Sequence, residues 1–418
     1  MVIKNMQKIC KKMKNRIEKK TLNISLFSVV ILAIALACCD GNSAVDDFGK
    51  YPEKPAEPEE ELQYNSFRPG ELWYDNDGVV INAHGGGVLE HEGKYYWFGT
   101  HLEQGHLSRV GVRCYSSTDL YNWENEGVAL PVVTNDNSHD IASECVIERP
   151  KVIYNESTGK FVMWFHLELR GQGYRSALVA VAVADNVTGP YTYIESLRPN
   201  AGHWPINFTE TQKTAEYDYE IGRWTAQGRQ DVVDGRYVVR DFEGGQMSRD
   251  MTLFVDDDQK AYLITSSEEN QTLHFHELSD DYLGFTGKYT RVLPGERNEA
   301  PAIFKYKGKY YMIASGLTGW DPNPARSADA DDVMGPWTSL GNPATGTDEQ
   351  IKTTFHSQST YVLPIKVSES VYIFMGDRWN PANQLDSRYV WLPLYMESGK
   401  PVIQWRDEWS LRNLAKIK

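Results

Sequence analysis

The sequence predicts an all-β fold, a five-bladed β-propeller. Three observations carry this expectation. A hairpin unit recurs five times, a second pair of strands follows most copies, and helix periodicity is almost absent. The chain has 418 residues, enough for one large domain or two ordinary ones, so length alone forces no split.

Each unit is a short apolar strand, a polar turn and an aromatic second strand. The copies begin at His84, Glu148, Asp250, Glu299 and Gln358. Their second strands contain Tyr95-Tyr96-Trp97, Phe161-Val162-Met163-Trp164, Ala261-Tyr262-Leu263, Tyr310-Tyr311-Met312 and Val371-Tyr372-Ile373-Phe374. The second pairs contain Val112 to Ser117, closing near Trp123, and Val179 to Val183, closing at Gly189-Pro190-Tyr191; a later one closes at Gly335-Pro336-Trp337. Two hairpins make a four-stranded blade, and five blades fit the roughly 350 residues of the repeat region. A β-sandwich is the alternative, but sandwiches do not repeat a hairpin at this interval.

The N-terminus reads as a targeting segment. Lys and Arg crowd residues 1–20, an apolar run from Leu22 to Ala37 follows, and it ends in Ala35-Leu36-Ala37-Cys38-Cys39. The run is about 16 residues, short for a transmembrane helix. A cysteine at the cleavage point resembles a bacterial lipobox. Cys39 fits with Leu36 three residues before it, Cys38 fits with Ala37 before it, and the choice stays open. The charged segment is long, so Met6 and Met13 are alternative starts. Residues 39–65 are acidic and Pro-rich, cannot build a core, and read as a tether. The expected organisation is a lipoprotein signal peptide at 1–38, the tether at 39–65 and a catalytic propeller at 66–418, ordered from near Phe67. The expected location is the cell envelope, in the outer membrane or periplasm, with membrane contact only through the lipid and a monomeric state.

Composition excludes some partners. The formal net charge of −14 disfavours nucleic acid, whose phosphates it would repel. Aromatic content of 12% suits both strands and sugar-binding surfaces. Of the five cysteines, Cys10 belongs to the leader; Cys114 and Cys145 sit in apolar contexts and read as buried free thiols, with no CxxC metal spacing. No cofactor is expected. The run Asp256-Asp257-Asp258 resembles a calcium loop by composition alone, which makes a structural calcium the one metal to consider, although Asp is favoured in any hairpin turn.

The hairpins align on the aromatic of the second strand. His84, Asp250 and Glu299 lie 12 residues before Tyr96, Tyr262 and Tyr311, and Glu148 and Gln358 lie 14 before Val162 and Tyr372. A difference of two keeps strand parity, so a longer turn accounts for it. All five residues then start the innermost strand of a blade and converge at one mouth of the central channel. Three carboxylates, an imidazole and an amide in one pocket raise one pKa by mutual repulsion, which is what a general acid requires. Glycoside hydrolysis uses such carboxyl groups on both sides of an oxocarbenium-like transition state.

Two motifs carry a family resemblance. Asn298-Glu299-Ala300-Pro301-Ala302-Ile303 and Arg249-Asp250-Met251-Thr252-Leu253-Phe254 resemble the general-acid strand and the acid-tuning strand of glycoside hydrolase family 43. The resemblance covers the chain beyond the tether and implies an inverting glycosidase with Glu299 as acid and Asp250 as its modulator. The first blade departs from the pattern: Ala83-His84-Gly85-Gly86-Gly87 has no carboxylate where most members carry the base. That departure is similar to the exo-β-1,3-galactanase-like branch, thought to use a glutamine, as its imidic acid, to activate water. His356-Ser357-Gln358-Ser359-Thr360 resembles that glutamine strand, and Glu148-Arg149-Pro150-Lys151 resembles the branch's second-blade site. The resemblance thus implies Gln358 as base and Glu148 as partner to substrate or water.

His84, His101, His166, Trp320 and Arg378 are expected substrate contacts. The two later histidines end second strands near the same mouth, Trp320 follows the fourth hairpin, and Arg378 follows the fifth. The expected reaction is galactose release from β-1,3-galactan, such as the backbone of arabinogalactan, so the expected partner is a polysaccharide or oligosaccharide. A furanosidase of the same family and a non-catalytic glycan-binding propeller are the competing functions.

Overall fold

The structure, a computed structural model, describes residues 63–214, 216, 225–365 and 371–414. The chain divides into two units, Met1–Glu59 and Glu60–Lys418, and every described residue lies in the second. The expected signal peptide, Cys38, Cys39 and nearly all of the tether lie outside the described residues.

Five sheets form the five blades. Blade 1 is β1 (His84–His91), β2 (Lys94–His101), β3 (Gly111–Ser117) and β4 (Glu124–Pro131). Blade 2 is β5 (Val146–Asn155), β6 (Lys160–Glu168), β7 (Leu178–Ala184) and β8 (Thr192–Leu197). Blade 3 is β9 (Met251–Val255), β10 (Ala261–Ser267), β11 (Thr272–Leu278) and β12 (Phe285–Val292). Blade 4 is β13 (Glu299–Tyr306), β14 (Lys309–Ser315), β15 (Arg326–Ala330) and β16 (Thr338–Gly341). A two-residue strand, β17 (Ala344–Thr345), then adds in parallel to the outer edge of blade 5, which is β18 (Gln358–Pro364), β19 (Val371–Arg378), β20 (Arg388–Glu397) and β21 (Lys400–Gln404). The other strand pairings are antiparallel meanders, as a repeated hairpin requires.

The innermost strands close a ring: β1 packs on β5, β5 on β9, β9 on β13, β13 on β18 and β18 on β1. Each pair of neighbouring blades encloses its own apolar core. Strand alternation supplies both sides. Trp97 and Ile373 face the core between blades 1 and 5, whereas Phe98 faces blade 2 and Phe374 faces blade 4. Cys114 and Cys145 are buried free thiols, as expected.

The near-absence of helix does not hold throughout. Between blades 2 and 3 lie helices α1 (Glu210–Lys213), α2 (Ala226–Val233) and α3 (Arg236–Arg240). They escape periodicity because they are short. α2 buries only Gly228, Asp231 and Val232, so it carries no apolar stripe to read.

Candidate active site

Four inner strands carry a one-residue β-bulge where they open onto the channel. The register shifts between His84 and Gly87, Glu148 and Lys151, Glu299 and Ala302, and Ser359 and Tyr361. A bulge bends the strand and re-aims its side chains. In three of them the residue after the axis position is left-handed: Gly85 (φ 63), Arg149 (φ 57) and Ala300 (φ 50). Carboxylates hold two of these turns. Asp377 Oδ2 accepts from Gly85 N at 2.8 Å, and Asp250 Oδ2 accepts from Ala300 N at 3.0 Å.

His84, Glu148, Asp250, Glu299 and Gln358 all line one cavity of about 240 Å³. One step of the alignment needs correction. Tyr372 faces blade 4, and Ile373 is the residue that faces onward to blade 1, as Tyr96, Val162, Tyr262 and Tyr311 face the blades after theirs. Gln358 still reaches the cavity, because it pairs with Asp377 as Glu299 pairs with Ser315 and Glu148 with His166.

Glu299 is 8% exposed and accepts from Asn270 Nδ2 at 2.7 Å. Burial, and then the charge of Asp250, push its carboxyl up to about 8; Arg149 and Asn270 pull the other way. It is therefore protonated at neutral pH. Repulsion from Glu148, the other expected cause, is not among these effects, and the Glu148 carboxyl is paired on its own side of the cavity. Its Oε1 accepts from the Tyr174 hydroxyl at 2.5 Å and its Oε2 lies 3.1 Å from His166 Nδ1. Burial raises Glu148, but His166 and Tyr174 outweigh it and hold the carboxyl below its ordinary value. His166 lies between Glu148 and Glu168. Burial opposes its charge, yet the two carboxylates raise it to about 9, making it an imidazolium. Among the described residues Glu148, His166 and Asp250 bring donor atoms within 4.8 Å of one another, and both ring nitrogens of His166 face carboxylates.

Arg149 crosses the channel mouth. Its guanidinium donates to Asp250 Oδ2 at 3.0 Å, Gln358 Oε1 at 2.5 Å and Ser359 O at 2.9 Å, and lies 5.6 Å from the Trp379 ring. Gln358 Oε1 also accepts from Trp379 Nε1 at 2.9 Å, while its Nε2 donates to Ser315 Oγ at 3.0 Å. Trp320 lines the cavity edge-on to Trp379, with ring centroids 5.3 Å apart.

Two expected contacts fall elsewhere. His101 is absent from the cavity wall; its Nδ1 accepts from Arg113 Nε at 2.9 Å, and burial plus Arg113 lower it to about 4. Arg378 lies in the adjoining recess, donates to Phe355 O at 2.9 Å and sits 5.7 Å from the Trp405 ring. The neighbouring Trp379, just past the end of β19, takes the cavity position instead. Arg149, Tyr174, Asn270 and Trp379 are among the cavity residues that sequence reasoning missed. The sole signal was for Arg149, a charge at a bulge position that is Gly in blade 1 and Ala in blade 4.

The site thus sets a buried glutamate, raised in pKa, beside Asp250 in a pocket lined by Trp320 and Trp379. The sequence profile of glycosyl hydrolases family 43 matches residues 197–362. The chain is also similar to the solved structure of a GH43 β-1,3-galactosidase with galactodeoxynojirimycin: 53% identity, TM-score 0.80, covering 82% of this chain and 100% of that one. The chain belongs to glycoside hydrolase family 43. This family 43 hydrolase is similar as well to an exo-β-1,3-galactanase from Phanerochaete chrysosporium, solved as a variant with β-1,3-galactotriose (33% identity, TM-score 0.67, 84% and 69% of the two chains). A third likeness is to an exo-β-1,3-galactanase from Clostridium thermocellum (37% identity, TM-score 0.65, 82% and 66%). No curated protein sequence matches it.

Proposed function

We propose that this hydrolase releases galactose from the ends of β-1,3-galactan with inversion, as the exo-β-1,3-galactanase-like branch of the family does. The observation that carries the reading is the protonated Glu299, with Asp250 tuning it, inside a cavity of about 240 Å³. That volume falls below the roughly 300–1,000 Å³ of ordinary ligand pockets, which suits one terminal sugar rather than a run of them. The buried Lys151 donates from Nζ to Gly85 O at 2.8 Å. Glu299 protonates the leaving oxygen, Trp320 and Trp379 offer apolar faces to the sugar, and His84, Glu148 and His166 contact it or the water. First-blade loss of the usual Asp leaves the resemblance pointing to Gln358 for the water. Its carbonyl oxygen already accepts from Arg149 and Trp379, so as an amide it acts by orienting water through its free N–H.

Incubation with β-1,3-galactan, arabinan and aryl furanosides tests the reading. Galactose from β-1,3-galactan is expected. Release from arabinan or furanosides alone would make the protein a furanosidase, and glycan binding without release would make it a binding module.

The reading requires no cofactor. A structural calcium at Asp256–Asp258 would have to displace Lys305, whose Nζ takes Asp256 at 2.5 Å and Asp257 at 2.8 Å. We further propose a monomeric lipoprotein of the outer membrane or periplasm, with signal peptide 1–38, tether 39–65 and catalytic domain 66–418. Labelled palmitate incorporation, abolished by Cys38→Ala or by Cys39→Ala, tests the anchor.

A further inference from the structure

Glu299 supplies the acid, and the attacking water must also lose a proton. In an inverting cleavage the acceptor sits on the opposite face of the sugar from the acid, about 6.5–9.5 Å away. Around the channel, β13 with Glu299 is flanked by β9 and β18. Asp250 and Gln358 therefore stand on either side of the acid. The blades across the ring are 1 and 2, and their axis residues are His84 and Glu148.

Glu148 is committed, with one oxygen on Tyr174 and the other on His166. His84 is not. Its ring is 2% exposed, stacks on Tyr389 at 5.2 Å and lines the cavity. Its Nδ1 is buried without a hydrogen-bond partner and lies 3.7 Å from Asp377 Oδ1. That is an ion-pair distance rather than a hydrogen bond, and catalytic hydrogen bonds are often long before substrate arrives. Asp377 is fixed from behind by Gly85 N at 2.8 Å. With Nδ1 turned to Asp377, Nε2 is the ring nitrogen left for the cavity.

We propose that His84, backed by Asp377, is the general base that takes the proton of the attacking water. The inference rests on the glycosidase reading above. Neutral His84 carries its proton on Nδ1. As the water oxygen bonds to the anomeric carbon, a water proton passes to Nε2. The glycosidic C–O bond breaks with its electron pair on the leaving oxygen, which takes the proton of Glu299. The turnover ends with His84 as imidazolium beside Asp377 and Glu299 as carboxylate, and one proton passes from His84 to Glu299 through solvent to reset both. An imidazole is a far stronger base than an amide, so Gln358 need only hold the water. The titratable and charged groups around His84 are Asp377 on β19, Tyr389 on β20, His101 on β2, Lys151 on β5, whose Nζ donates to Gly85 O at 2.8 Å, and Arg149, which lies against Gly85; Lys151 and Arg149 are both attracted to Asp377.

The test compares wild type, His84→Gln, Asp377→Asn and Gln358→Ala as full chains on a β-1,3-galactooligosaccharide, with and without sodium azide. Azide is an anionic nucleophile with no proton to lose. His84→Gln is expected to lose on the order of 10²–10⁴-fold in kcat, to regain turnover with azide as the α-galactosyl azide, and to lose the acidic limb of the pH profile. Asp377→Asn removes the charge that favours the imidazolium, so its acidic limb moves to lower pH. Near-wild-type turnover in a folded His84→Gln, or azide rescue confined to Gln358→Ala, overturns the proposal. If His84→Gln does not fold, an unmoved limb in Asp377→Asn overturns it. A wild type that releases no sugar instead overturns the glycosidase reading itself.

Discussion

Glu299 keeps its proton because it is buried, and Asp250 beside it adds to the effect. A general acid works only while protonated, so turnover on glycan is expected to fall as pH rises through about 8. Removing the charge in Asp250→Asn relieves the repulsion, and the basic limb then moves to lower pH. Asn270→Ala acts in the opposite sense, because the Asn270 hydrogen bond favours the ionised form; its limb moves to higher pH. A kcat/KM profile of the three proteins checks both directions. The place of Glu299 at the cavity was legible in the sequence, since it opens a strand in register with four other polar residues, whereas its expected role as acid came from the family resemblance. Asn270 was not legible. It reaches Glu299 from the β10–β11 turn, where Glu268, Glu269 and Asn270 are all left-handed (φ 51, 58 and 61), a geometry that no residue-type pattern announces.

That turn is held by buried charge. Glu268 takes Arg291 at 2.7 Å through both of its oxygens and His274 Nε2 at 2.7 Å. Burial opposes its ionisation, but Arg291 and His274 outweigh it and bring its carboxyl down to about 2. The folded value lies below the unfolded one, so this stabilisation is present above the ordinary glutamate range and is lost as pH falls towards about 2. Glu268→Gln leaves Arg291 buried with a neutral partner, and chemical denaturation at neutral pH is expected to show a loss of about 3–5 kcal/mol. The bulges make a second demand. A Cβ on Gly86 would sit 1.9 Å from Phe98 O, a backbone atom that cannot swing away. Gly86→Ala is expected to cost about 1–3 kcal/mol and to lower thermal stability, with larger effects on activity because β1 carries His84. Hairpins and strand starts were legible because they repeat. The bulges were not, because one extra residue in a strand is cancelled or doubled by turn length, and this is how Tyr372 stood in for Ile373.

Ring closure is a property of the whole chain. Phe67 and Trp409, at the two ends of the described domain, exchange backbone hydrogen bonds at 2.8 and 3.1 Å, and their rings stack at 4.3 Å. Trp409 Nε1 also donates to Trp391 O at 2.9 Å, which ties the pair to blade 5. Trp409→Ala is expected to cost about 3–5 kcal/mol in denaturant unfolding. Closure matters for the site because the five axis residues come from five blades, and no two neighbours in sequence meet there without the ring. The blade count was legible from the sequence. The helices between blades 2 and 3 were not, since they are short and carry little apolar surface.

The account turns on Glu299 as the proton donor to a sugar leaving group. Its most direct test is the rate of Glu299→Gln relative to wild type on two substrates, a β-1,3-galactobiose and a dinitrophenyl β-galactoside whose leaving group needs no proton. The expected result is a loss on the order of 10²–10⁴-fold on the disaccharide and a much smaller loss on the aryl glycoside. An equal loss on both substrates, or full activity on the disaccharide, would contradict it.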